Sequence, residues 1–398
     1  MPHPPLTCQR SVFDLPDDIC WLNSAYMSPL LNSVAEAGRD GVTRRGQPWK
    51  IAADDFFEPA EQVRELLARI INADADGIAL VPSVSYAMAI ASNSLPLGEG
   101  QSIVVVEEQF PSNVYPWREI ARRRSARLRT VGIPEGDWTD AIVETIDEQT
   151  AVVSIPHVHW TTGAQFGLEQ ISKRCRQVGA ALVIDATQSL GVLPLDVGVI
   201  QPDFLVAAAY KCMLGPYGLS YLYVAPSWRA GRPVEEGWLT RANAADFSQL
   251  TEYCDDYVSG ARRYDFGERA STILLPMAIA SLQQISDWTV ERIQQYTRPL
   301  IEHVVNRADA SHLWHPPLPA CSPCMIGIGL PGDSPHVLAR QLAEQSIYIS
   351  VRKQNARIAT HVYNTTDDVD RLFDALERLT VSIVRPRGQV GRASRGIF

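Results

Sequence analysis

The middle of the chain alternates short, continuously apolar runs with stretches of helical spacing. The apolar runs are 101–108, 150–158, 180–186, 203–211 and 219–226. Apolar strands that alternate with helices are typical of a parallel sheet covered on both faces. The last two runs lie too close together for a crossover helix, so we expect that pair to be antiparallel. The sequence therefore predicts an α/β protein with a mostly parallel sheet in a large domain.

The pattern changes near Arg263. Helical spacing over 276–295 is followed by strand-like segments at 324–330, 347–351 and 357–363 and by helices at about 335–345 and 366–379. These elements predict a smaller α+β C-terminal domain. We assign 1–30 to an N-terminal arm, 31–262 to the large domain, and 263–385 to the small domain with its linking helix. The basic, glycine-rich tail over 386–398 is typical of disorder.

Charge and composition exclude several classes of function. The chain has 36 Lys and Arg against 45 Asp and Glu, a net charge of −9, whereas nucleic-acid binders usually present a basic face. The one basic run, Arg122–Arg124 with Arg127 and Arg129, is expected to end a helix. No apolar stretch is long enough to span a membrane. We predict neither a nucleic-acid nor a membrane partner.

The polar N-terminus lacks a signal-peptide core, and the seven cysteines form no disulfide framework, so we expect a reduced, cytoplasmic protein.

Lys211 is the first candidate for chemistry, because it closes the apolar run Phe204–Tyr210. A lysine is rarely buried without a partner. Desolvation lowers the pKa of a lysine, which is what Schiff-base chemistry requires. The alternative is a lysine that extends its ammonium into solvent from a strand end.

Asp185 ends the preceding apolar run and is followed by Ala-Thr-Gln188. Ligands of parallel sheets bind outside the carboxyl ends of the strands, so Asp185 and Lys211 could face one ligand. A carboxylate next to a pyridinium nitrogen keeps pyridoxal phosphate (PLP) protonated, and Gln188 could bond the ring hydroxyl. A lone aspartate at a strand end is more often a helix cap.

The segment Ser83-Val84-Ser85 follows an apolar strand and opens a helical stretch. Hydroxyls and free N–H groups at a helix N-terminus suit a phosphate. Simple helix capping by Ser83 or Ser85 explains this segment equally well.

These motifs, in this order, resemble the class V aminotransferase family, which includes cysteine desulfurases and isopenicillin N epimerases. The resemblance rests on Asp185-Ala-Thr-Gln188, on Lys211 before Gly215-Pro-Tyr-Gly218, and on segments from about Leu22 to Thr365. It implies a fold-type I PLP enzyme, an amino acid or amine substrate, and a homodimer with active sites at the subunit interface. By the same resemblance, Lys211 carries PLP as a Schiff base.

The resemblance also implies roles for residues around the cofactor. Phe110 falls where a ring stacks on PLP, and Ser85 matches a phosphate-binding hydroxyl. Tyr210 stands where histidine is common, and its hydroxyl could reach the phosphate. Two positions depart from the pattern: Ala208 replaces a serine, and Trp160 stands where desulfurases often have asparagine near the ring hydroxyl.

On the substrate side, Arg357 matches the arginine that binds the α-carboxylate, a task suited to a planar guanidinium. Arg352 is a second, weaker candidate. A solvent-facing strand arginine is the alternative for Arg357. Ser271 and Thr272 align with residues that reach the phosphate of the partner subunit.

The sequence does not select one reaction. Desulfurases carry a nucleophilic cysteine between the two arginines, but only Lys353-Gln-Asn-Ala356 stands there. Persulfide transfer is therefore not expected. Cys212 is interpreted as buried packing. Cys321 and Cys324 form a single CxxC without a second pair for zinc, so no metal site is predicted.

We predict an aminotransferase-like enzyme, with a β-eliminating C–S lyase or an amino-acid epimerase as alternatives. A catalytically silent regulator or scaffold of the same fold is the alternative from another class. The intact pair of Asp185 and Lys211 argues against the silent alternative.

Overall fold

A computed structural model describes residues 4–330 and 335–384 of the chain. The strands in these ranges are β1 Cys20–Trp21, β2 Ile78–Val81, β3 Ser102–Val106, β4 Arg127–Val131, β5 Thr150–Pro156, β6 Ala181–Asp185, β7 Phe204–Ala208, β8 Ser220–Val224, β9 Met325–Gly329, β10 Ile347–Tyr348, β11 Ser350–Arg352 and β12 Asn355–Ala359. The helices are α1 Asn32–Arg45, α2 Glu58–Ile70, α3 Val84–Ser94, α4 Tyr115–Arg123, α5 Trp138–Thr145, α6 Leu168–Val178, α7 Val197–Ile200, α8 Leu274–Trp288, α9 Val290–Ala310, α10 Pro335–Ala343 and α11 Thr366–Val384.

The large sheet has the strand order β2-β8-β7-β6-β5-β3-β4. Strand β8 runs antiparallel to both β2 and β7, and the other neighbours are parallel. Leu80 and Val104 belong to the hydrophobic cluster on one face, while Ala79 and Ile103 belong to the cluster on the other. Both faces are therefore covered, and the predicted mostly parallel α/β sheet is confirmed.

The basic run differs from its prediction. Helix α4 ends at Arg123, and Arg127 and Arg129 lie instead in β4, the edge strand, which pairs only with β3. Arg129 forms an ion pair with Asp147. Charged residues are common in edge strands because they oppose pairing with another chain. Strand β4 is largely polar, so it lacks the continuous apolar run from which the other strands of the large sheet were predicted.

A second, antiparallel sheet has the order β11-β12-β9 and its own hydrophobic cluster with α9 and α11. Strand β12 ends at Ala359, so the residues from 360 to 363, predicted as strand, form a turn. Strand β1 of the N-terminal arm pairs in parallel with β10. The domain boundaries at 30, 262 and 385 remain predictions, and the tail 386–398 lies outside the described residues.

The helices of the described ranges include none that is long and apolar enough to cross a membrane.

Candidate active site

Two adjacent strands bring Asp185 and Lys211 to one cavity of about 270 Å³. Asp185 is the last residue of β6, and Lys211 follows the end of the parallel neighbour β7. Lys211 lies three positions beyond Ala208 in a turn, rather than closing the strand as predicted. Asp185 and Lys211 lie at or just beyond the carboxyl ends of two adjacent parallel strands, so one ligand can contact both side chains.

The Lys211 side chain is buried, with 7% of its surface exposed. Burial, aided by the positive charge of Arg357, lowers the pKa of Lys211 to about 8. Its Nζ atom lies 5.5 Å from the centroid of the Phe110 ring and 5.7 Å from that of Tyr210. The amine is therefore held between two aromatic rings and is largely neutral in mildly alkaline solution.

Asp185 is also buried, and its Oδ1 accepts a hydrogen bond of 3.0 Å from the Thr187 N–H. Burial raises the pKa of Asp185, while the bonds from Thr187 and the charge of Lys211 oppose that rise. A buried carboxylate without an ion partner gains most from a ligand that brings a cationic N–H. Thr187 was missed by sequence reasoning, although it stands inside the Asp185–Gln188 motif.

Ser83, Val84 and Ser85 line the same cavity at the start of α3. Ser83 is the helix cap, because its Oγ accepts a hydrogen bond of 3.2 Å from the Tyr86 N–H. The hydroxyls of Ser83 and Ser85 are 2.9 Å apart. The capping and phosphate interpretations are therefore compatible, since the capped terminus leaves polar groups beside the cavity.

Gln188 lines the cavity, but its Nε2 donates a hydrogen bond of 3.1 Å to the Ala25 carbonyl. Because Nε2 already has this partner, a hydrogen bond between Gln188 and a ring hydroxyl would use the Gln188 Oε1 atom. The Ser28 N–H donates to the Tyr210 carbonyl over 3.2 Å. The segment 22–28 of the N-terminal arm is thus tied to Gln188, which follows β6, and to Tyr210, which precedes Lys211.

Phe110 and Trp160 meet at the boundary of a second cavity of about 420 Å³. Their ring centroids are 5.3 Å apart and the rings are nearly perpendicular, at 88°. The Trp160 indole N–H donates to the Glu108 carbonyl. Trp160 is therefore held by a backbone carbonyl, and it lines both cavities.

Arg357 is almost fully buried, and its Nη1 donates to the Trp160 carbonyl over 3.1 Å. Within the described residues, its Nε and Nη2 atoms have no hydrogen-bond partner. Burial, together with the charge of Arg352, lowers the pKa of Arg357 to about 9. Unpaired donors of a buried guanidinium are costly unless an anion binds there. The second cavity thus offers two unpaired guanidinium donors to a carboxylate.

The second cavity contacts Lys211, Tyr210 and Arg352 as well as Arg357. Both guanidiniums lie over the Trp160 ring, at 5.3 Å for Arg352 and 5.8 Å for Arg357. A cation over an aromatic face is stabilised by the ring quadrupole. Trp160, which departs from the desulfurase pattern, therefore contacts both predicted arginines.

Two aromatic residues of the second cavity, Tyr26 and Tyr217, were missed by sequence reasoning. Tyr217 stands in the Gly215–Gly218 motif and packs on Tyr210, with ring centroids 4.6 Å apart. Tyr26 follows the segment Leu22–Ala25, where the family resemblance begins. Tyr217 lies within a recognised motif and Tyr26 directly follows one, but neither tyrosine was assigned a role.

His361 is a fourth residue that the sequence did not single out. Its Nδ1 accepts the Val362 N–H over 2.9 Å, so Nε2 carries the proton and donates to the Cys212 carbonyl at 3.2 Å. Burial lowers the pKa of His361 to about 4, which keeps the ring neutral. This bond connects the turn after β12 to the residue that follows Lys211.

Other predicted residues lie away from the cavities in this single chain. The Ser271 Oγ accepts the Leu274 N–H over 3.0 Å at the start of α8. Contact of Ser271 or Thr272 with a partner's phosphate remains a prediction. Cys212, Cys321 and Cys324 are buried and free. The described ranges contain no cluster of three or more residues suited to a metal ion.

Comparison with known proteins decides the family. The family described as Aminotransferase class-V matches residues 49–372. The chain belongs to the class-V aminotransferase family. As a member of this PLP-dependent family it is an enzyme that uses PLP, and the predicted cofactor is confirmed.

Relatives within the class-V aminotransferases have different reactions in their names. The chain is 25% identical over 393 residues to an uncharacterized aminotransferase, YcbU, of Bacillus subtilis, covering 94% of this chain and 97% of the relative. It is 26% identical to isopenicillin N epimerase of Streptomyces clavuligerus, covering 80% and 84%. The solved structure of the cystine C-S lyase C-DES superposes with a TM-score of 0.82 at 20% identity, covering 90% and 97%. The last likeness confirms the fold-type I architecture.

Proposed function

We propose that this class-V aminotransferase acts on an amino acid and that Lys211 is the residue to which PLP is attached. The observation that carries the proposal is the shared cavity of Lys211 and Asp185, with Arg357 beside Lys211 in the adjoining one. A buried amine with a lowered pKa, a buried carboxylate and a serine-rich helix start fit the aldehyde, the ring nitrogen and the phosphate of PLP. When bound, PLP withdraws electrons from the substrate Cα and weakens the bonds there.

Each side chain has a defined task in this proposal. The Lys211 Nζ moves a proton at the substrate Cα, and a pKa near 8 suits it to do so near neutral pH. The Asp185 carboxylate holds the proton on the ring nitrogen. Arg357 binds the α-carboxylate through its two unpaired donors. Phe110 stacks on the cofactor ring, and Trp160 excludes water from the edge of that ring.

The remaining contacts bind or orient the cofactor. We propose that Ser83, Val84 and Ser85 bind the phosphate together with Tyr210, and that Gln188 bonds the ring hydroxyl through Oε1. Arg352 lines the substrate side of Lys211.

Transamination is our leading reaction, with β-elimination at a C–S bond and epimerisation as alternatives. The short link between Arg352 and Arg357 supports the view that persulfide transfer is not used, because Lys353-Gln-Asn-Ala356 contains no thiol. The three reactions share the first proton removal at Cα and differ in what happens next. The residues around Lys211 serve all three, so products must distinguish them.

We also propose that the enzyme is a cytoplasmic homodimer. Exposed aromatic residues near the large domain support an interface: Trp238 and Phe247 are each 41% exposed and pack against Phe56. Seven free cysteines support a reducing compartment. Light scattering should give twice the mass of one chain, and cell fractionation should recover the enzyme with cytoplasmic markers.

The attachment of PLP to Lys211 can be tested by colour and reduction. Purified enzyme should be yellow, and borohydride should fix the cofactor to the peptide that contains Lys211. Lys211→Ala should lose this label, whereas Lys173→Ala, which changes an exposed lysine, should keep it. Protein that gains no visible band with added PLP, or a label on another lysine, would overturn the proposal.

A panel of amino acids then separates the reactions. Conversion of the enzyme to its pyridoxamine form with release of a keto acid indicates transamination. Pyruvate with sulfide indicates C–S elimination. Deuterium from solvent at Cα without a new product indicates epimerisation. Transamination as the leading reaction is contradicted if either of the last two outcomes predominates.

A further inference from the structure

We infer that the amino acid substrate carries a second carboxylate on its side chain and that Arg352 binds it. This inference rests on the proposed function, because it takes Arg357 as the site of the α-carboxylate. It adds a substrate class, the dicarboxylic amino acids, and a specificity role for Arg352.

The geometry of one hairpin places both arginines on the same surface. Strands β11 and β12 pair Ser350 with Arg357 and Arg352 with Asn355. Ser350 and Arg352 are two positions apart, so their side chains share a face, and Arg357 lies on that face opposite Ser350. Arg352 and Arg357 are therefore diagonal neighbours, and both guanidiniums contact the face of Trp160.

Contacts on both sides of Trp160 fix the hairpin. The indole N–H donates to the Glu108 carbonyl, and the carboxylate of the same Glu108 forms an ion pair with Lys353 in the hairpin turn. Arg357 donates to the Trp160 carbonyl. The two guanidiniums are thus positioned before substrate arrives, which reduces the ordering cost of binding.

The charges of the second cavity exceed what one carboxylate can neutralise. Apart from Lys211, which the proposed function assigns to the cofactor, its lining includes two cations, Arg352 and Arg357, and no Asp or Glu. Within residues 4–330 and 335–384 neither arginine forms an ion pair with a carboxylate: Arg352 donates to the adjacent Val351 carbonyl, and Arg357 donates to the Trp160 carbonyl. An α-carboxylate engages Arg357, so Arg352 is left as a cation beside the cavity. A second anionic group of the substrate pairs with the Arg352 guanidinium.

The position of Arg352 indicates which end of the substrate it meets. Arg357 is almost fully buried next to Lys211, whereas Arg352 is only half-buried at the end of the hairpin. The α-carboxylate therefore binds inside, and the side-chain carboxylate binds nearer to the opening, beside Tyr26. Phosphate groups have a separate place at Ser83–Ser85 in the first cavity, so we assign Arg352 to a carboxylate.

Binding of unreactive acids to the PLP-loaded enzyme tests the inference without relying on turnover. Glutarate and its monoamide glutaramate have the same length and differ by one charge. By calorimetry, the wild type should bind glutarate about tenfold more tightly or better, the gain expected for one charge-assisted contact. Succinate and adipate then give the preferred spacing of the two carboxylates.

Variants assign the discrimination to one side chain. Arg352→Gln should bind glutarate no better than glutaramate while its affinity for glutaramate is unchanged. Arg352→Lys should keep part of the preference, and Arg124→Gln, an exposed arginine of the segment after α4, should keep all of it. Arg357→Gln should weaken both ligands.

Equal binding of glutarate and glutaramate by the wild type overturns the inference, as does an equal loss for both ligands in Arg352→Gln. Tighter binding of phosphonoacetate or sulfoacetate than of glutarate would also overturn the assignment of Arg352 to a carboxylate. Failure of the proposed function is distinguishable, because the protein would then take up no PLP and show no yellow colour. A yellow enzyme that ignores the second charge contradicts only this inference.

Discussion

The two sides of Lys211 are built in different ways. The proposed cofactor side consists of Ser83, Ser85 and Asp185, which lie at the start of α3 and at the end of β6. The proposed substrate side consists of Tyr26, Trp160, Arg352 and Arg357, from three segments that are distant in the chain. The first set is placed by the large sheet and α3, whereas the second depends on contacts of the β11–β12 hairpin with the Trp160 loop and the N-terminal arm.

This difference separates chemistry from selectivity. A ring nitrogen and a phosphate require the same partners in every reaction of PLP, so the sheet can supply them once. Substrates differ, and the hairpin β11–β12 and the Trp160 loop lie outside the strands that carry Asp185 and precede Lys211. Function in such a site is altered most easily on the substrate side.

The sharpest test of the cofactor side is Asp185→Asn. The amide keeps the shape but not the charge that holds a proton on the ring nitrogen, so kcat/KM should fall by about 10²- to 10³-fold. PLP binding, measured by absorbance, should persist. Asp185→Glu is the control that restores a carboxylate. A loss of less than about threefold in Asp185→Asn would show that the carboxylate is not a working part of the site.

The corresponding test of the substrate side is Arg357→Gln. Loss of a charged hydrogen-bonding group costs about 1.5–3 kcal/mol, so KM for amino acids should rise by about 10- to 150-fold. Binding of an amine that lacks a carboxylate, followed by the visible spectrum of the PLP-loaded enzyme, should not change. Arg357→Lys keeps the positive charge but not the paired donors of the guanidinium, so its KM should lie between those of the wild type and Arg357→Gln. Equal effects on amino acids and amines would place Arg357 outside the carboxylate site.

The pH dependence of PLP uptake tests whether the two sides are coupled. The neutral amine is the reactive form, so association of PLP with the apoenzyme should speed up as pH rises, with a midpoint near the Lys211 pKa of about 8. The rate should increase about tenfold between pH 7 and pH 9. Arg357→Gln removes a charge that lowers the Lys211 pKa, so its midpoint should move to higher pH. A midpoint near 10.5 in the wild type contradicts the desolvated lysine.

A smaller effect is expected at His361, which connects the two sides through the Cys212 carbonyl. Removing one buried hydrogen bond costs about 1 kcal/mol, so His361→Ala should lower kcat about fivefold and leave KM nearly unchanged. His361→Gln retains an N–H donor and should recover part of the rate. If KM changes and kcat does not, His361 acts on the substrate rather than on the lysine turn.

The smallest effect is expected for Trp160→Phe. The ring remains for Arg352 and Arg357, but the donation to the Glu108 carbonyl is lost. We expect a loss of about 1 kcal/mol or less in unfolding free energy and a change of a few fold in KM. Trp160→Asn, which also removes the ring, should weaken substrate binding more. Thermal denaturation and initial rates measure both changes.

Sequence reasoning reached the cofactor side more completely than the substrate side. Asp185, Lys211 and Ser85 follow apolar runs, and the geometry of parallel strands brings such ends together. Tyr26 and His361 gave no such signal, because most of the site residues next to them in space are more than a hundred positions away in the chain. Strand β4 was missed for a different reason, since a polar edge strand lacks the apolar pattern by which buried strands are recognised.

The clasped N-terminal segment has a consequence for truncation. Ala25 and Ser28 bond to Gln188 and Tyr210, and the Ser24 N–H donates to the Ala359 carbonyl in β12. The residues that line the first cavity all lie between 82 and 220, whereas the second cavity also needs the N-terminal segment, Arg352 and Arg357. A chain cut before β11 would keep every lining residue of the first cavity but would lose both guanidiniums of the second and the strand that holds Ser24.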